Sequence, residues 1–82
     1  MLQKSFPHLV DVKIKKARAK HRGIQSRHEA VAVILEEFDE FKEAVFRDKS
    51  AFDVLDELVQ VAAMCQRAAE DLGMTAAGTI GE

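Results

Sequence analysis

Apolar positions recur along this chain at helical spacing, in three blocks divided by turn residues. From His8 to about His21, the stripe Val10, Ile14, Ala17 and His21 steps by four, three and four, the spacing of one helix face. Pro7 is placed to open that helix, the residues from Met1 to Pro7 are expected to fray, and Gly23 offers a C-terminal cap. Ser26-Arg27-His28-Glu29 fits a capping box, in which the serine accepts from the amide three residues on and the glutamate reaches back. A second helix is therefore predicted from just after Ser26 to about Arg47. Asp48-Lys49-Ser50 reads as a turn, and Ser50 with Asp53 repeats the capping pattern. A third helix then runs from about Ala51 to Leu72, with Gly73 closing it. The stretch from Gly73 to Glu82 is small and unpatterned, and is expected to be a flexible tail. The sequence has no internal repeat, no strand alternation and no Gly-rich phosphate loop.

Two long helices joined by a short turn predict an antiparallel hairpin. At about 100° per residue, Val31, Ile34, Leu35, Phe38, Phe41, Val45 and Phe46 form the main stripe of the second helix. Glu36, Asp39, Glu43 and Arg47 fall opposite. Glu37 lies on the flank of the stripe, bordered by Ala30, Val33, Phe41 and Ala44, with Glu40 nearby. On the third helix, Ala51, Val54, Leu55, Leu58, Val61, Ala62, Cys65, Ala69 and Leu72 make a wide apolar arc. Glu57 sits at its margin, Gln60 one step further round, and Arg67 on the polar side. The predicted class is all-α: an antiparallel hairpin with an added N-terminal helix, in one domain spanning 1–82 with an ordered core of about 8–72.

Composition adds an argument about assembly. The chain has 82 residues and is 48% hydrophobic, more apolar surface than two or three helices readily hide alone. Oligomerisation, as a homodimer or homotetramer, is expected. No apolar run reaches membrane-spanning length, and no secretory signal pattern opens the sequence. Cys65 is the single cysteine, which rules out an internal disulfide and fits a reducing cytoplasm. Charge is uneven: residues 1–28 carry eight Lys/Arg against one Asp, and the remainder four against thirteen acids. The basic stretch either pairs with acidic neighbours or attracts a polyanion. Lys13, Lys16, Lys20, Arg27 and His28 are candidate phosphate contacts. A nucleic-acid partner is disfavoured, because no aromatic residue interleaves the basic helix for stacking.

The candidate chemistry lies in the acids at the apolar borders. Carboxylates three residues apart share a helix face, and a facing helix can add more. Unpaired acids at an apolar edge are costly unless a cation offsets them. Glu37, Glu40 and Glu57 therefore either edge a solvated face or share a metal ion. All-oxygen ligation suits Mg²⁺ or Mn²⁺.

Glu36-Glu37-Phe38-Asp39-Glu40, followed on the next helix by Asp56-Glu57-Leu58-Val59-Gln60, resembles the MazG-like family of all-α nucleoside triphosphate pyrophosphohydrolases. The likeness covers about residues 26–72 and extends through His28 to Glu37 and Val59 to Met64, closest to small, phage-type members. It implies Mg²⁺-dependent cleavage of a nucleoside triphosphate to monophosphate and pyrophosphate, in a bundle completed across subunits. The family pattern, Glu-x-x-Glu then Glu-x-x-Asp, places Glu37, Glu40 and Glu57 as metal ligands and catalytic groups. Gln60 stands where the family has Asp, as a neutral ligand that lowers cation affinity. Asp53 and Asp56 stand in reserve. A non-catalytic oligomer that binds a nucleotide or protein partner is the alternative.

Overall fold

The computed structural model describes residues 4–77. Three helices follow one another: α1 (Phe6–Lys20), α2 (Arg27–Phe46) and α3 (Ala51–Asp71). No strand occurs among the described residues. The expectations of fraying at residues 1–3 and of flexibility at 78–82 lie outside the described residues.

Serine side chains start all three helices, each accepting from a backbone amide that has no partner within its helix. Ser5 accepts from His8 N at 3.2 Å, so α1 opens before Pro7, two residues earlier than the apolar stripe implied. Ser26 accepts from Glu29 N at 3.0 Å and Ser50 from Asp53 N at 3.1 Å, as the sequence predicts. The reciprocal half of the first box differs. Glu29 accepts from Gln25 N at 2.7 Å, one residue beyond the cap, and also pairs with Arg22. At the other end of α3, Gly73 adopts φ +74, the left-handed conformation that glycine permits without strain. Gly23 is no such cap. α1 ends at Lys20, His21 caps it in an extended conformation, and Gly23 has no positive φ. Its small size serves a close approach, since a Cβ there would lie 3.2 Å from Asp71 Oδ2.

α3 is the central element, packing on α1 along one side and α2 along another. Val10 and Ile14 of α1 meet Val59, Ala63 and Met64 of α3 in the main core. Ile24 of the α1–α2 connection, Ala30 of α2 and Ala68 of α3 form a second cluster. Ala30 near the start of α2 thus meets Ala68 near the end of α3, and Glu40 further along reaches Glu57, so the two helices run antiparallel.

The buried faces differ from the sequence reading. α2 turns its flank inward, burying Ala30 and Ala44, while much of the predicted main stripe lies outward. α3 buries Val59, Ala63, Met64, Arg67 and Ala68, and leaves Leu58 and Cys65 of its apolar arc exposed. The physical reason lies in side-chain size: both buried residues of α2 and two of those of α3 are alanines, small groups that fit between packed helices. Bulky side chains are displaced outward: Val31 is 63% exposed, Phe46 78% and Phe52 81%. Arg67, expected on the polar side, is 4% exposed.

The basic α1 is tied to the acidic end of α3. Arg18 forks to Glu70 and Asp71, both at 2.7 Å. Asp71 also accepts from Ile24 N at 2.7 Å, which pins the α1–α2 connection. Burial raises the Asp71 carboxyl, but the Ile24 amide and Arg18 outweigh it and hold the group below its ordinary value.

Candidate metal centre

Helical spacing brings Glu37 and Glu40 to one side of α2, and the inward turn of the α2 flank aims them at α3. There Glu57 meets them. One carboxylate oxygen from each of the three lies within 4.8 Å of the others. Like charges this close oppose one another's ionisation. Burial, followed by the charge of Glu40 and a hydrogen bond shared with it, pushes the Glu37 carboxyl up to about 7. Glu57 and Glu36 add to the shift. Glu57 is also raised, first by burial and then by Glu40 and Asp56, with Lys13 and Lys49 opposing.

Glu37 Oε2 is buried and has no hydrogen-bond partner among the described residues. A lone buried carboxylate oxygen among negative neighbours is costly. The arrangement fits a hard divalent cation. All the donors are oxygens, the charge of the ion would offset the repulsion, and Oε2 would gain a partner. Gln60 lines a cavity of about 290 Å³ together with Glu37 and brings a neutral amide to that space. Glu40 and Glu57 line a separate cavity of about 300 Å³ with Glu43, Asp53, Asp56 and Lys49. Asp53 and Asp56 therefore border the centre, and Asp56 is engaged by Lys13 at 3.3 Å.

The candidate phosphate contacts divide. Lys16 and Lys20 of α1 line the same cavity as Glu37 and Gln60. Arg27 and His28 sit exposed on the first turn of α2, and neither lines the two cavities beside Glu37. Sequence reasoning missed Arg67, which lines both of those cavities from α3. The available signal was its spacing: Gln60, Met64 and Arg67 step by four and three along the face that carries Glu57.

No protein-family model, curated protein or solved structure matches this chain. No described helix is long and apolar enough to cross a membrane.

Proposed function

We propose that this chain is a Mg²⁺-dependent nucleoside triphosphate pyrophosphohydrolase, releasing monophosphate and pyrophosphate. The observation that carries the reading is the convergence of Glu37, Glu40 and Glu57 within 4.8 Å, from two helices, around an unpartnered buried oxygen. The resemblance of these segments to MazG-like enzymes supports it from the sequence side. Glu37, Glu40 and Glu57 would hold Mg²⁺ or Mn²⁺, with Gln60 as a weaker neutral ligand. When bound, the ion supplies positive charge that polarises a phosphoryl oxygen. One of the three carboxylates would take a proton from the attacking water. Lys16 and Lys20 hold phosphate at the rim of the cavity, while Arg27 and His28 are left as outer contacts.

The outward apolar faces of α2 and α3 support assembly with a second copy, as a homodimer or homotetramer. A stable interface buries roughly 800 Å² on each partner, and Val31, Leu35, Phe38, Val45, Phe46, Phe52 and Leu58 offer apolar surface for one.

The test is pyrophosphate release from a panel of nucleoside triphosphates with Mg²⁺ or Mn²⁺. The reading expects release that chelation stops and that Glu37→Gln lowers by at least about a hundredfold. Absence of release from every nucleotide by the folded protein overturns it. Gln60 favours a second reading, a non-catalytic helical oligomer that binds nucleotide or a protein partner. Saturable nucleotide binding without any release is its signature.

A further inference from the structure

Two buried polar groups lack partners and border the same space: Glu37 Oε2 and Arg67 Nε. Among the described residues, the hydrogen bonds of the rest of the Arg67 guanidinium go to neutral acceptors. Nη1 points to the Met64 thioether at 3.4 Å, and Nη2 donates to the Arg22 carbonyl at 3.0 Å. A buried guanidinium that no carboxylate hydrogen-bonds is incompletely compensated, and an anion that reaches it completes its hydrogen bonds. Glu29 and Asp71 are near enough to feel the charge of Arg67, but they pair with Arg22 and Arg18, and neither accepts a hydrogen bond from the Arg67 guanidinium.

The surroundings of Arg67 are cationic in one direction. In the cavity of about 290 Å³, Lys13, Lys16 and Lys20 of α1 stand with Arg67, and Glu37 is the one acid in the wall. Lys13 is engaged by Asp56, whereas Lys16 and Lys20 form no ion pair among the described residues. The neighbouring cavity of about 340 Å³ carries Glu29 and Glu36 as well as Glu37, and so repels an anion more strongly. A ligand that presents positive charge to Glu37 and negative charge to Arg67 would satisfy both orphaned groups. A divalent cation complexed to a diphosphate group does so.

We propose that Arg67, with Lys16 and Lys20 across the cavity, forms an anion subsite that takes the diphosphate portion of a metal-complexed ligand. The inference rests on the pyrophosphohydrolase reading for its choice of ligand, yet it concerns binding and requires no hydrolysis. Arginine suits the role because its planar fork donates in pairs to phosphate oxygens.

The test is isothermal titration of inorganic pyrophosphate, with and without Mg²⁺, into the wild-type chain, Arg67→Gln, Arg67→Lys and the double variant Lys16→Gln/Lys20→Gln. The proposal expects wild-type binding that tightens with Mg²⁺ and weakens about tenfold or more in Arg67→Gln. Arg67→Lys should retain part of the affinity, and the double lysine variant should lose several-fold. Circular dichroism reports folding. If Arg67→Gln does not fold, the exposed lysines and Arg67→Lys decide, and unchanged affinity in both overturns the proposal. Absence of wild-type binding overturns it too. The two readings fail separately. Nucleotide hydrolysis with KM unchanged in folded Arg67→Gln sinks this subsite alone. Pyrophosphate binding that needs Arg67, in a chain that hydrolyses nothing, sinks the enzyme alone.

Discussion

Glu37 carries a cost in stability at neutral pH. Its folded-state pKa of about 7 stands above the ordinary 4.5, so the folded chain holds a proton that the unfolded chain has released. The stabilising contribution is full below 4.5 and is lost as pH rises through about 7. Glu57, also raised, shifts stability in the same direction. Screening by solvent discounts the effect of Glu37 to on the order of 1 kcal/mol, or roughly 4–8 °C in Tm for a domain of this size. Metal-free protein should therefore melt lower at pH 8 than at pH 5, and Glu37→Gln should flatten the difference; thermal melting in chelator checks both. Asp71 has the opposite sign. Its lowered pKa gives stability present above its ordinary value and lost as pH falls through the folded one. Asp71→Asn leaves the Ile24 amide and Arg18 poorly matched and should cost roughly 1–3 kcal/mol, read by urea denaturation. The acids of the centre were legible because helical spacing alone puts Glu37 beside Glu40. Arg67 was not, because its charge placed it on a polar face, whereas α3 packs on two neighbours and encloses that side too.

At the scale of elements, the boundaries of α2 and α3 were legible, whereas the start and the cap of α1 and the buried faces were not. Ser26 and Ser50 are local signals, each set by a side chain reaching an amide three residues away, and no tertiary contact is needed to read them. Ser50→Ala should cost about 1 kcal/mol and fray the start of α3, which hydrogen exchange at Asp53 and Val54 would show. Which apolar face turns inward is a non-local matter. The large residues of α2 and the wide arc of α3 invite mutual packing on a helical projection. The chain instead buries Ala30, Ala44, Ala63 and Ala68. With this flank of α2 inward, Glu37 and Glu40 meet Glu57. A hydrophobic pattern does not distinguish a face buried within one chain from a face buried against another.

For the whole molecule, the displaced bulky residues predict association. The isolated chain leaves Leu35, Phe38, Val45 and Phe46 exposed on one side of α2, large apolar side chains of the kind that cluster at interaction sites. Sedimentation should give a mass at least twice the 9.1 kDa of one chain. Leu35→Glu should shift the protein toward monomer with its helical content retained, because the side chain is exposed in the single chain. A wild-type monomer at micromolar concentration would contradict this.

The central claim is that acids of α2 and α3 share one divalent cation. The decisive measurement is calorimetric titration of Mn²⁺ at neutral pH, with wild type compared against Glu37→Gln, Glu57→Gln and the exposed Asp39→Asn, which lines none of the cavities beside the three glutamates. The account predicts saturable binding with proton release, weakened about tenfold or more by the first two substitutions and unchanged by the third. Absence of saturable binding to the wild type, or equal affinity in all four proteins, would contradict it.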